Sequence, residues 1–246
     1  MPDANPILPV PPIPDPDWAW FFDIDGTLIE LSSEPASLKD KQRLPELLEA
    51  LHHRVGGALA LVSGRSLSNM LQLIAPFRLP LAGCHGIERH LADGSILRPE
   101  QSPALKRARK TLTDFTNAHD GLFLEDKGLT LALHYRQAPD LEAACRSVIE
   151  QVATDDLGWF SGKMVFEVMS RGYDKGNAVE AFMATAPFRG RKPVFLGDDL
   201  PDENGFRAAK AFGGLGILIG PPRSTAAMFQ LENVTSMHAW LAALAT

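Results

Sequence analysis

Cysteine is scarce in this 246-residue chain. Cys84 and Cys145 lie far apart and have no metal-ligand spacing, so they read as two reduced, buried thiols of a cytosolic protein rather than a disulfide framework or a thiolate metal site. No apolar run approaches about 18 residues, which argues against a membrane span and a membrane partner. No basic-then-apolar leader opens the chain, and a cytoplasmic location is the expectation. Positive charge is also short. The formal net charge is −6, and the densest basic stretch is Lys106-Arg107 with Arg109-Lys110, which leaves nucleic acid without an electrostatic footprint. What remains is a hydrophobic fraction of 45%, enough for a full core in one or two domains.

Proline is concentrated instead of spread. Positions 2, 6, 9, 11, 12, 14 and 16 are all Pro, which prevents a helix and predicts an extended or disordered tail over residues 1–17.

The stretch Trp18-Ala19-Trp20-Phe21-Phe22-Asp23-Ile24-Asp25-Gly26-Thr27-Leu28 follows. An apolar run stopped by a turn reads as a strand buried on both faces in a parallel sheet. The acids then sit at its carboxyl end, where open α/β sheets bind ligands. Asp23 and Asp25 point the same way while the chain is extended. Gly26 permits close backbone approach, and Thr27 adds a hydroxyl and an N–H. Two like charges beside an apolar strand call for compensation, and a hard divalent cation suits them.

The pattern repeats along the chain. Leu44, Leu47, Leu48 and Leu51 recur at helical spacing, and Ala58-Leu59-Ala60-Leu61-Val62 is a second buried run ending in Ser63-Gly64-Arg65. Leu67, Met70, Leu71 and Ile74 mark the next helix, giving the strand–helix alternation of a covered parallel sheet. Ser63 and the N–H groups around Gly64 thus occupy a strand end and suit an anionic oxygen. Pro80 to Arg89 is a short strand running into a turn with His85 and Glu88, and His85 is taken as close to substrate.

From about Pro99 the rhythm changes. Leu105, Ala108, Leu112 and Phe115 form an amphipathic helix, and Leu122 to Arg136 a hairpin turning at Asp126-Lys127-Gly128. Leu141, Cys145, Val148 and Val152 form a second helix, and a second hairpin turns at Ser161-Gly162 before a strand beginning at Lys163. This is an α+β unit with one antiparallel sheet. Alternation sends Met164, Phe166 and Val168 to one face and Lys163 and Glu167 to the other, where His134 and Arg136 also point. On one ideal strand Lys163 and Glu167 would stand about 13 Å apart. Two helices cover only the apolar face, so the polar face is left either for hydroxyl recognition or as a solvated surface with ion pairs.

The core resumes after Gly172. Lys175 opens a helix at the end where a cation opposes the dipole unless an anion is near. Pro193-Val194-Phe195-Leu196 is a strand running into Gly197-Asp198-Asp199-Leu200-Pro201-Asp202-Glu203. Gly214 to Ile219 is a last strand, with helices from Ala226 to Leu244. A carboxylate nucleophile, a second acid two residues on, distant acids, a hydroxyl and a lysine suit phosphoryl transfer onto Asp. Asp23 would attack phosphorus, Asp25 would serve as acid and then base, and Ser63 and Lys175 would hold phosphoryl oxygens. Mg2+ would take side chains of Asp23 and Asp198 and the carbonyl of Asp25.

The segments Asp23-Ile24-Asp25-Gly26-Thr27, Ser63, Lys175 and Gly197-Asp198-Asp199 resemble, in order, the four motifs of the haloacid dehalogenase superfamily. Ser63-Gly64-Arg65, His85-Gly86-Ile87-Glu88, His134-Tyr135-Arg136, Gly162-Lys163 with Glu167, Lys175-Gly176 and Asp198 to Glu203 are similar to the trehalose-6-phosphate phosphatase family within it. The similarity runs from about Trp18 to the C-terminus. It implies a Rossmann-like α/β core, residues 18–98 and 172–246, with an inserted α+β cap, residues 99–171, that closes over the site. The implied reaction is Mg2+-dependent hydrolysis of trehalose 6-phosphate through an aspartyl phosphate, in trehalose biosynthesis, with a trehalose-6-phosphate synthase as a partner. Substrate contacts are implied for Arg65, His85, Glu88, His134, Arg136, Lys163 and Glu167, phosphate contacts for Thr27, Ser63, Gly64 and Lys175, and support by Asp199 and Asp202. Pro201 stands where the family pattern has Thr. A related sugar-phosphate phosphatase or mutase would share the core motifs. A non-catalytic sensor of a sugar phosphate would keep the fold, but no catalytic position here is substituted.

Overall fold

The computed structural model describes residues 7–30, 38–154 and 156–245; Pro2 and Pro6 of the proline-rich segment lie outside them. In chain order the elements are β1 Ala19–Phe22, α1 Leu38–Arg54, β2 Leu59–Val62, α2 Leu67–Leu73, β3 Leu81–Gly83, β4 Glu88–His90, β5 Ile96–Leu97, α3 Pro103–Asn117, β6 Phe123–Asp126, β7 Thr130–His134, α4 Glu142–Val152, β8 Leu157–Gly162, β9 Val165–Ser170, α5 Lys175–Met183, β10 Pro193–Gly197, α6 Asp202–Ala211, β11 Leu215–Ile219, β12 Phe229–Leu231 and α7 Val234–Leu241. They group into two units, Met1–Leu97 with Asp174–Thr246, and Arg98–Tyr173. The architecture is an α/β core with an inserted α+β cap domain.

The core sheet has the order β12-β11-β10-β1-β2-β3-β4-β5. From β12 to β3 the pairings are parallel, and β4 and β5 add an antiparallel edge. β1 lies in the interior between β10 and β2, with Phe22 opposite both Leu196 and Leu61. Burial on both faces explains its unbroken apolar run. Trp20, Phe22, Leu59, Leu61, Val194 and Leu196 pack on one face with α1, α2 and α7. Phe21, Ala60, Val62 and Phe195 pack on the other with α5 and α6. Burying an aromatic of this kind contributes roughly 1.5–3 kcal/mol, so the strand that carries the first two acids is held by its own side chains.

One expectation changes and one is narrowed. The stretch after Ala226 is not all helix: Phe229–Leu231 forms β12, parallel to β11, before α7 begins under an Asn233–Ser236 capping box. The proline-rich tail, over its described residues, is extended, one of the two forms expected, and is fastened down. Pro9 carbonyl accepts the Gln230 N–H at 3.0 Å, and the Trp240 indole donates to Pro12 carbonyl at 2.9 Å. Leu8, Pro11 and Pro14 turn inward, while Ile7, Val10 and Ile13 stay exposed. That three-residue repeat is the period of a polyproline II path.

The cap sheet has the order β6-β7-β9-β8, all antiparallel. Leu131, Leu133, Phe166, Val168 and Leu157 pack against Leu105, Ala108 and Leu112 of α3 and Cys145, Val148 and Ile149 of α4. The opposite face carries Glu125, Thr130, His134 and Glu167, as the alternation requires. Lys163 does not share it as a strand residue. Gly162 pairs with Val165, which leaves Lys163 and Met164 as the turn, Met164 at φ +63°. The two-residue hairpin turn sits later than the Ser161-Gly162 expected, because Ser161 and Gly162 still pair with β9, and the 13 Å spacing to Glu167 no longer applies.

Candidate active site

β10, β1 and β2 are neighbours, and their carboxyl ends lead into Asp198, Asp23 and Ser63. The sheet continues to hold the backbone there: Asp23 N–H donates to Leu196 carbonyl and Ser63 N–H to Ala82 carbonyl, each at 2.9 Å. Beyond Asp23 the chain curls around the Ile24 carbonyl, which accepts the N–H groups of Thr27, Leu28 and Ile29 at 3.3, 2.9 and 3.0 Å. Gly26 is required by this turn twice over. Its φ is +83°, and a Cβ would fall 2.1 Å from Asp198 Oδ2, so only glycine leaves room for that carboxylate.

Lys175, the first residue of α5, ties these ends together. Its ammonium donates to Asp23 Oδ1 at 2.7 Å and to Asp202 Oδ1 at 2.6 Å. Side-chain exposure is 4% for Lys175, 8% for Asp23 and 0% for Asp202. Burial pushes the ammonium pKa down, but Asp202 and Asp23 outweigh it and leave the pKa raised, so the lysine is charged. Asp23 is raised well above the ordinary carboxylate range, first by burial and then by Asp202 and Asp198, with Lys175 opposing. Asp198 is pushed up to about 7, again by burial first and Asp202 second. Asp202 is the internal support: its Oδ2 accepts the N–H groups of Asp198 and Asp199, both at 3.0 Å. Asp202 is fixed by its own three bonds, none of which involves Pro201. Asp199 turns away and is exposed, accepting from Leu200 N–H at 2.7 Å.

Carboxylate oxygens of Asp23, Asp198 and Asp202 lie within 4.8 Å of one another, and Asp198 Oδ1 is buried with no partner among the described residues. Hard oxygen donors, excess negative charge and an unsatisfied buried carboxylate oxygen fit a divalent cation. Asp202 already commits both oxygens, so Asp23 and Asp198 are the side chains left for it.

Around this centre Ser63 Oγ accepts the Arg65 N–H at 3.2 Å, which leaves its hydroxyl proton to donate. It is not the helix cap; Ser66 is, accepting from Asn69 N–H. Thr27 Oγ1 is buried and has no partner among the described residues. Gly64 lies against the His85 imidazole, which a Cβ at Gly64 would meet at 2.6 Å. His85 is held there by a turn in which Cys84 and His85 both have positive φ, their N–H groups bonded to the carbonyls of Arg65 and Ser63 at 2.8 and 2.9 Å. Arg65 grips Asp25 with two bonds of 2.6 Å, from Nε and Nη2, and reaches Asn69 at 2.8 Å. The expected substrate residue Arg65 therefore contacts the expected acid. Glu88 is 2% exposed; its Oε1 accepts the Leu67 N–H at 2.6 Å, satisfying an otherwise orphaned donor at the start of α2, and the Cys84 thiol at 3.6 Å.

Within the cap, Glu167 is 5% exposed and accepts from Lys127 Nζ at 3.1 Å to both oxygens and from Thr130 Oγ1 at 2.6 Å. His134 Nε2 meets Glu125 Oε2 at 3.0 Å. Arg136 donates to the Lys163 carbonyl at 3.4 Å on the exposed rim. Lys127 was not anticipated as a partner of Glu167; its place in the turn closing β6 and β7, two residues after Glu125, was the available signal.

A family model described as trehalose-phosphatase matches residues 21–234. Trehalose-6-phosphate phosphatase of Escherichia coli (strain K12) is 40% identical over 232 residues, covering 93% of this chain and 87% of that protein. The probable trehalose-phosphate phosphatase of Sinorhizobium fredii is 39% identical over 233 residues, covering 93% and 88%. The solved C-terminal domain of the C. albicans trehalose-6-phosphate phosphatase superposes with a TM-score of 0.77 at 19% identity, over 92% of this chain and 91% of that one, which shows a shared fold. The chain belongs to the trehalose-phosphatase family and is a phosphatase.

Proposed function

We propose that this phosphatase hydrolyses trehalose 6-phosphate to trehalose and phosphate through an aspartyl phosphate on Asp23, with Mg2+. The observation that carries this reading is the buried Lys175 bridge between Asp23 and Asp202, beside a second strand-end carboxylate, Asp198, whose Oδ1 is unpartnered among the described residues. An ammonium has three donors; two are used here, and the third is left for a phosphoryl oxygen.

Asp23 attacks phosphorus as its P–O bond to the sugar breaks, and a proton from Asp25 goes to the leaving oxygen. Asp25 then takes a proton from water, which attacks the aspartyl phosphate and releases phosphate. For Asp25 to carry a proton its pairing with Arg65 must loosen, so Arg65 sets where that carboxyl sits between steps. Ser63, Thr27 and the third proton of Lys175 supply donors to the transferring group, a term that strengthens as charge spreads over its oxygens. Burial raises the Asp23 pKa, and a nucleophile must be ionised; Lys175 favours that form. A bound Mg2+ at Asp23 and Asp198 would add positive charge at the same point.

Recognition of the sugar hydroxyls is assigned to the polar face of the cap, with Glu167 and His134 central and Lys127 and Thr130 holding Glu167 in place. A trehalose-6-phosphate synthase would make the substrate, and the two buried free cysteines suit a reducing compartment such as the cytoplasm. Phosphate release is to be measured on trehalose 6-phosphate, glucose 6-phosphate and sucrose 6-phosphate, each with Mg2+ and with chelator after bound metal is removed. Preference for trehalose 6-phosphate and loss of all activity in chelator are expected. Equal turnover of the three sugars, or full activity in chelator, would contradict the reading.

A further inference from the structure

We propose that Arg223, in the loop after β11, is a positioning residue for the cation site; this rests on the metal reading above. Arg223 Nη2 donates to the carbonyls of Asp199 at 3.0 Å and Asp198 at 3.3 Å, and its Nε also donates to the Asp198 carbonyl at 3.3 Å. Nη1 donates to Glu203 Oε1 and, at 3.1 Å, to the Ser224 carbonyl. Glu203 is itself tied to the same loop, accepting Thr225 Oγ1 at 2.7 Å and Ala226 N–H at 2.6 Å.

The consequence lies in what these bonds do together with Asp202. Asp202 takes the N–H groups of Asp198 and Asp199, and Arg223 takes their carbonyls. Both ends of each residue's backbone are thereby held, from two different parts of the chain. The carboxylate of Asp198 is left directed into the acid cluster, with Oδ1 buried and unbonded among the described residues. A rigid planar fork reaches two adjacent carbonyls at once, which an ammonium on a flexible stem does poorly. Glu203 neutralises the guanidinium, so the arginine fixes the loop without placing an uncompensated positive charge beside a cation.

The test is calorimetric titration of the metal-free protein with Mg2+ and no substrate. Arg223→Ala is expected to weaken Mg2+ binding about tenfold, the loss of about one charged hydrogen bond. Arg223→Lys, which keeps the charge, is expected to weaken it nearly as much. At saturating Mg2+ both variants should recover kcat, with KM for the sugar phosphate within about twofold of the unaltered protein. Arg223→Lys carries the test should Arg223→Ala fail to fold by circular dichroism. Unaltered protein that binds Mg2+ while the variants bind it equally well would overturn the role of Arg223 alone, even with a lowered melting temperature. Unaltered protein that takes up no Mg2+ would overturn the metal reading and this inference with it.

Discussion

The core site and the polar face of the cap both gather charged side chains, but the Lys175–Asp23–Asp202 centre of the core is the more deeply buried, with the Arg65–Asp25 pair beside it 30% and 37% exposed. At the core, Lys175, Asp23 and Asp202 are 4%, 8% and 0% exposed and each is fixed by more than one element. On the cap face, burial is uneven: the side chains of Lys127 and Glu167 are 13% and 7% exposed, whereas those of His134 and Glu125 are 35% and 45% exposed. Buried charges interact strongly and tolerate no loss of a partner, while exposed pairs are worth about 0–1 kcal/mol. A reaction common to many phosphate esters suits the first arrangement. On the proposed reading, discrimination among sugars falls to the second, because contacts of modest individual strength can be changed without unmaking the chemistry.

The sharpest break in that comparison comes from the nucleophile. Asp23→Asn keeps the volume and removes the covalent route, so phosphate release should fall at least about 10⁴-fold on every substrate, with folding checked by circular dichroism. Substantial turnover by a folded variant would sink the covalent mechanism. At the other extreme is the exposed pair on the cap. The His134 hydrogen bond, more than the Lys127 charge and against partial burial, holds the Glu125 carboxyl below its ordinary range. A carboxylate whose folded pKa is depressed contributes stability above its unfolded pKa, about 4.5, and loses it as pH falls through the folded value. After allowance for solvent screening, Glu125→Gln should cost about 0.2–1 kcal/mol at pH 7. Thermal melts should show the gap to the unaltered protein narrowing as pH drops below about 4.5. A loss of several kcal/mol at pH 7, or a gap that stays constant with pH, would mean that this face is built like the core.

What could be read from the residues follows the same division. Asp23, Ser63 and Asp198 were legible because buried strands announce themselves as apolar runs and their ends are fixed by the sheet. Lys175 was legible because a cation at a helix N-terminus needs an anion. The place of Lys163 in the turn is not legible, because a hairpin turn can shift while the hydrophobic alternation around it stays the same. Glu88 is legible as a polar residue in a turn, while its bond to the Leu67 N–H joins two distant stretches and is disclosed by no local pattern. The pairing of Arg65 with Asp25 joins residues from two strand ends, and the Lys127 bond to Glu167 joins a turn to a strand two places along the sheet order. Such partners depend on tertiary placement. Phe229–Leu231 does not show as a strand in the sequence because three residues are too short a run to show a period of two.

The most direct test of the division of labour is kcat/KM of Glu167→Ala on trehalose 6-phosphate and on p-nitrophenyl phosphate, measured side by side. Losing a buried hydroxyl contact of about 1–3 kcal/mol should lower the value for trehalose 6-phosphate by about 30-fold at the central figure of about 2 kcal/mol. The aryl phosphate, which has no sugar to recognise, should change by less than about twofold. Equal losses on the two substrates, or no loss on either, would contradict it.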